Sequence, residues 1–241
     1  MAAFVLVHGA WHDPRVWARV APALRGAGHT VETPDLPGNG RDGRPAAAIS
    51  LEVYTDAIAA VVSAQTAPVV LVGHSMAGIV ISTLAERLPE RIAKLVYLAA
   101  FLLPDGVSIL SFYERYATPD MQGARQALRL SADKTSSSIE PADARRLFFN
   151  TCSEADAKAA SMHLTPQPAQ PRRDTVRITP GKWGRVPRVY FATLRDQTVF
   201  PALQQLMYGE LLPTRAVAFD TDHSPFFSAP ERLVAALMTE A

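Results

Sequence analysis

The chain has 241 residues, of which 48% are hydrophobic and 20% charged, and its formal net charge is +1. That length suits one large α/β unit or two small ones, and the composition is that of an ordinary globular protein. Near-neutrality argues against nucleic acid or an acidic membrane surface as a partner, and a single cysteine, Cys152, excludes an intrachain disulfide or a cysteine metal cluster.

The first residues, Met1-Ala-Ala-Phe-Val-Leu-Val-His8, carry no basic leader, and their apolar run is too short to span a membrane. They predict a first strand at 4–7 and a cytoplasmic protein. Further short, β-branched runs bounded by turn residues predict strands at 30–33, 69–72, 95–99, 189–193 and 216–219. Near-continuous apolar strands imply burial on both faces, as in a parallel sheet. Helical spacing falls between them. It predicts helices over 16–27, with Pro22 starting or kinking part of it, from Ser50 through Val62, over 79–88, over 201–208 and over 230–238. Ser228-Ala-Pro-Glu231 has the pattern of a capping box for the last helix. The alternation argues for a doubly wound, mostly parallel α/β sheet. Residues 104–185 break the rhythm: they hold helical patches at 109–116 and 142–149, a polar loop at 131–138, and no comparable strand. They read as an insertion into a single domain, 1–241.

Val69-Val-Leu-Val-Gly-His-Ser-Met-Ala-Gly78 reads as a buried strand turning sharply into a helix, with Ser75 at the tip. Such a turn needs small neighbours, and Gly73, Ala77 and Gly78 supply them. A serine hydroxyl needs a base, and a histidine base needs a carboxylate to orient it. Among six histidines, His223 stands just after the last predicted strand. Asp196 follows the preceding strand and lies between serine and histidine in chain order. Its rivals, Asp220 and Asp222, read as turn formers. An oxyanion needs two backbone donors. The N–H of Met76, next to the serine, and that of Ala10, in the loop after the first strand, are the candidates. His8 reads as a brace for that loop, and His74 as turned away from the cleft. Cys152 reads as a structural thiol, and Arg172-Arg173 as a solvated loop pair.

Together these motifs resemble the α/β-hydrolases, in the branch of plant methylesterases, hydroxynitrile lyases and bacterial esterases such as pyrethroid hydrolases. The matching pieces are Phe4-Val-Leu-Val-His-Gly-Ala-Trp11, Gly28-His-Thr-Val31, Pro34-Asp-Leu-Pro-Gly38, Gly73-His-Ser-Met-Ala-Gly78 and His223-Ser-Pro-Phe-Phe-Ser-Ala-Pro-Glu231. The resemblance implies a triad of Ser75, Asp196 and His223 acting on a small-molecule ester, with no metal or cofactor. It implies that 104–185 is a mainly helical lid over a largely apolar pocket. Wall candidates are Trp11, Phe101, Phe112, Tyr113, Phe148 and Phe149. It also suggests a homodimer. A cyanohydrin lyase of this branch would have a lysine after the histidine and a threonine in the first loop. Ser224 and Gly9 stand there instead. Hydrolysis of an amide, a lactone or a polyketide intermediate, and a non-enzymatic receptor, use the same frame. The near-neutral charge and the aromatic wall predict a preference for neutral, apolar esters of small to medium size.

Overall fold

A computed structural model describes residues 1–38, 43–121 and 123–241. The chain runs through strand β1 (Ala3–Val7), helix α1 (Ala21–Gly26), strand β2 (Thr30–Glu32) and helix α2 (Leu51–Ser63). Strand β3 (Val69–His74), helix α3 (Ala77–Arg87) and strand β4 (Ile92–Leu98) follow. The segment 104–185 then holds α4 (Ile109–Tyr116), α5 (Gly123–Ala127), β5 (Leu128–Leu130), β6 (Ser136–Ile139), α6 (Pro141–Phe148), α7 (Glu154–Ser161) and β7 (Gln167–Pro168). The chain returns through β8 (Arg188–Thr193), α8 (Pro201–Glu210), β9 (Arg215–Phe219), α9 (Pro225–Ser228) and α10 (Pro230–Met238).

Six strands form one sheet in the order β2-β1-β3-β4-β8-β9, and every pairing is parallel. Every residue of β3 is buried, because helices cover both faces of the sheet. The period of two divides β1 between layers. Val5 and Val7 join the core with Ile58 of α2 and Ile81 of α3. Phe4 and Leu6 join the opposite core with Leu24 of α1 and Leu233 of α10. The chain moves from β1 outward to β2, then crosses to the other side of β1 to form β3. The carboxyl ends of β1 and β3 therefore flank a crevice at the topological switch point, where open α/β sheets bind ligands.

Three local expectations change. The stretch 16–27 divides into a short 3-10 turn, Pro14–Trp17, and α1, with Pro22 in the first turn of α1, where its missing N–H costs nothing. The polar stretch 131–138 is not all loop, since β6 pairs antiparallel with both β5 and β7. The capping box does not form: α10 has Ala229 at its N-cap with no side-chain cap. The Ser228 hydroxyl donates instead to Asp222 Oδ1, at 2.9 Å, and to the Ser224 carbonyl. No helix among the described residues is long and apolar enough to cross a membrane.

Candidate active site

Ser75 follows β3 with φ at 55°, left-handed backbone that is uncommon for a residue with a side chain. The surroundings hold that conformation in place. The Ser75 N–H donates to the Leu98 carbonyl at 3.1 Å, and its carbonyl accepts from Gly78 and Phe101 N–H groups at 3.1 and 3.0 Å. Two glycines permit the approach. A Cβ at Gly78 would strike the Phe101 backbone, and one at Gly9 would stand 2.8 Å from Ser75 Cβ and from His74 Nδ1. The loop after β1 is thereby pressed against the Ser75 turn. The backbone amides of Ala10 and Met76 have no hydrogen-bond partner among the described residues, and both residues line the cavity that holds Ser75.

His223 and Asp196 come from the loops after β9 and β8. His223 Nδ1 donates to Asp196 Oδ2 at 2.7 Å, with the pair almost wholly shielded from solvent. The rest of the carboxylate is satisfied locally. Oδ1 accepts from the Thr198 and Val199 amides at 2.7 and 2.8 Å, and Oδ2 accepts from Thr193 Oγ1 and Gln204 Nε2 at 2.9 and 3.3 Å. Gln204, on α8, also accepts from the Thr193 amide, so one side chain ties the end of β8 to the carboxylate. With Nδ1 committed to Asp196, Nε2 is the nitrogen left to exchange a proton with a serine. No hydrogen bond joins Ser75 Oγ to His223 in this arrangement.

Two further histidines take part in this packing. His74 is buried, its ring 4.6 Å from that of His223, and its Nε2 donates to the His223 carbonyl at 2.9 Å. It therefore does face away from the cavity, and it also anchors the His223 backbone. His12 Nδ1 donates to the Ala10 carbonyl at 2.8 Å. Burial drives both rings toward the neutral form, pushing His12 down to about 3 and His74 well below its ordinary value. A neutral ring still carries one N–H, which each of these rings donates to a backbone carbonyl. His8 braces the same loop through the Gly9 carbonyl and the Leu36 amide.

Asp222 is fully buried. Its Oδ1 accepts from the Ser224 amide and the Ser228 hydroxyl, and its Oδ2 accepts from the Thr151 amide at 2.8 Å and the Cys152 thiol at 3.4 Å. It is thus a tie between the His223 loop and the 104–185 segment, not only a turn former. Asp220 is exposed and pairs with Arg195. Burial and the neighbouring Asp222 push the Cys152 thiol up, which keeps it protonated.

Ser75 opens into a cavity of about 270 Å³, at the small end of ligand sites. Trp11, Phe101 and Tyr113 line it, together with Ile109, Leu110 and Thr198. Phe112, Phe148 and Phe149 lie outside that lining. Phe112 packs on Phe101 and Tyr116, and Phe148 on Trp11, His12 and His223. Trp11 is clamped by the 104–185 segment: its carbonyl accepts from the Thr165 amide at 2.8 Å, and its Nε1 donates to the Ser137 carbonyl at 3.2 Å. Arg172 and Arg173 are not simply solvated. Both line the cavity, Arg172 is half-buried, and its guanidinium lies 5.1 Å from the centre of the Trp11 ring. Among the described residues no group of three or more His, Cys, Asp or Glu is placed to hold a metal ion.

The chain belongs to the alpha/beta hydrolase family, whose pattern it matches over residues 4–236. It is 29% identical to a putative chloroplastic methylesterase 14 of Arabidopsis thaliana over 95% of this chain and 69% of that protein. It is also 29% identical to a pyrethroid hydrolase of Sphingobium wenxiniae, over 97% of this chain and 85% of that one. The crystal structure of a pyrethroid hydrolase from Sphingobium faniae superposes with a TM-score of 0.89 at 26% identity, covering 99% of this chain and 96% of that one.

Proposed function

We propose that this chain hydrolyses carboxylic esters, with Ser75 as nucleophile, His223 as general base and acid, and Asp196 as the carboxylate that orients the histidine. The observation that carries the reading is the buried 2.7 Å bond from His223 Nδ1 to Asp196, beside a serine held at positive φ after β3. The methylesterase and pyrethroid hydrolase names of the relatives support ester chemistry.

In this reading Ser75 Oγ attacks the ester carbonyl carbon while His223 Nε2 takes its proton. The carbonyl π pair moves to oxygen, and the Ala10 and Met76 amides, which have no partner among the described residues, bind that oxyanion. One such donor contributes about 2.7–4 kcal/mol to the transition state. Collapse expels the alkoxide, which His223 protonates. Water then loses a proton to His223, attacks the acyl-enzyme and releases the acid and Ser75. The 104–185 segment acts as the lid, with its clamp on Trp11 fixing the loop that carries Ala10. A cytoplasmic location and a homodimer belong to the same proposal, to be tested by cell fractionation and light scattering.

The test is steady-state hydrolysis of a 4-nitrophenyl ester. Ser75→Ala should lower kcat by up to roughly 10⁶-fold, the scale seen when a triad serine is removed, with circular dichroism unchanged. Full activity in that variant would overturn the reading.

A further inference from the structure

The cavity that holds Ser75 has a charge pattern that ester chemistry alone leaves unused. Three guanidinium groups line it, those of Arg125, Arg172 and Arg173, and no aspartate or glutamate is among the described residues lining it. None of the three has an ion-pair or side-chain hydrogen-bond partner among the described residues. Several arginines elsewhere pair with carboxylates, Arg15 with Asp13, Arg19 with Asp156, Arg195 with Asp220 and Arg215 with Glu240, and others, such as Arg91, Arg188 and Arg232, bond backbone carbonyls. The cavity arginines make neither kind of bond through their side chains among the described residues.

Arg172 is the most enclosed of the three. It ends the short turn Gln170–Arg172, and its guanidinium lies over the Trp11 ring. The residue is half-buried, while Arg125 and Arg173 are exposed. Protein surrounds the group closely enough that desolvation lowers its pKa, an effect that Tyr113 opposes and Arg173 adds to. A cation taken from water without a counter-charge is costly, and an aromatic face offsets only part of that cost. An anion entering the cavity would restore the balance. A guanidinium matches the two oxygens of a carboxylate in a planar, bidentate pair. Apart from the hydroxyls of Ser75, Tyr113, Ser137 and Thr198, the side chains of the rest of the lining, including Phe101, Ile109, Leu110 and Leu128, are mostly apolar.

We propose that the substrate is an ester that also bears a free carboxylate, separated from the ester by an apolar spacer and held by Arg172. Arg125 and Arg173 extend the positive field toward solvent and draw the anion in. This reverses the preference for neutral esters expected from composition. A net charge of +1 over the whole chain says nothing about the charge concentrated in one cavity. The proposal rests on the ester-hydrolase reading, and its test separates the two.

The test compares monomethyl esters of straight-chain dicarboxylic acids with the methyl esters of the matching ω-carboxamides, which differ in charge and little in shape. At the best chain length the ratio of kcat/KM, acid over amide, should be about tenfold or more, the size expected for a hydrogen bond to a charged group. Arg172→Gln should reduce that ratio by about the same factor. Arg172→Lys should retain more of it than Arg172→Gln does, because it keeps the charge. A ratio, unlike a rate, does not move when a variant is merely less well folded. A ratio at or below one throughout the series, or one unchanged in Arg172→Gln, overturns the proposal and leaves the hydrolase reading intact. Calorimetry of adipate binding to the Ser75→Ala protein gives a readout independent of turnover. Binding that is lost in Ser75→Ala/Arg172→Gln supports the anion site even if no ester is cleaved, an outcome that would count against the hydrolase reading only. Equal binding by both proteins overturns the anion site.

Discussion

The sheet and the 104–185 segment contribute opposite kinds of side chain to one cleft. At the sheet, Asp196 is buried and accepts from Thr198, Val199, Thr193, Gln204 and His223. In the segment, Arg172 stays half-exposed over Trp11, with no carboxylate paired to it among the described residues. A fully satisfied group has no capacity for a ligand and serves to hold geometry. A group left with unmet capacity is the one that a ligand can engage. On the proposed reading, the strand ends keep the reacting groups in register, while the segment selects what reaches them.

The sharpest way to break this comparison is to damage the satisfied side. Asp196→Asn should lower kcat by about 10⁴-fold, the precedent for a triad aspartate, and should leave the adipate-binding side untouched. Asp220→Asn, in an exposed pair with Arg195, should leave both kcat and Tm at their starting values. The reverse ranking in ester kinetics would show that the carboxylate has been assigned to the wrong loop.

Acid is a second probe of the sheet side, through the neutral rings behind it. His12 is held down to about 3 by burial against an ordinary value of 6.5, and His74 moves the same way. Below about pH 6.5 the unfolded chain binds protons on these rings and the folded chain does not. The stability contributed by each ring is thus complete above that pH and is lost as pH falls toward the ring's folded value, about 3 for His12. The slope is up to about 1.4 kcal/mol per pH unit for each ring. Urea midpoints measured from about pH 7 to pH 5 should fall on this account. His12→Asn, whose amide can still donate to the Ala10 carbonyl, should flatten the slope. A variant slope equal to the wild type would place the acid sensitivity elsewhere.

Asp222 joins the two regions, and its loss should have a smaller effect. Asp222→Asn leaves buried donors from Ser224, Ser228, Thr151 and Cys152 with one fewer good acceptor. It should cost about 1–3 kcal/mol in urea unfolding, and it should lower kcat far less than Asp196→Asn does. A loss of turnover matching that of Asp196→Asn would mean that Asp222 does more than tie the His223 loop to the segment.

These regions also differ in how far the sequence revealed them. The apolar runs at Val69–His74 and Arg188–Thr193 are legible because burial on both faces demands them, and the small residues around Ser75 signal a tight turn. Asp196 was legible because it follows one of those strands. Strand β6 was not, since Ser-Ser-Ser-Ile has no apolar alternation and is held by pairing with β5 and β7. The Ser228 cap failed because a buried carboxylate from another loop outcompeted the helix for the hydroxyl. The roles of Gln204, His12 and His74 depend on bonds to groups brought near by tertiary structure. Arg172 looked like a surface residue because nothing local marks that Trp11 lies beneath it.

The central claim, that Ser75 forms the acyl-enzyme, is tested most directly by treating the protein with a fluorophosphonate and mapping the adduct by peptide mass spectrometry. The account predicts one adduct, on the peptide containing Ser75, forming in step with loss of ester hydrolysis and much more slowly in Asp196→Asn. An adduct on another residue, or ester hydrolysis that persists after Ser75 is fully modified, would contradict it.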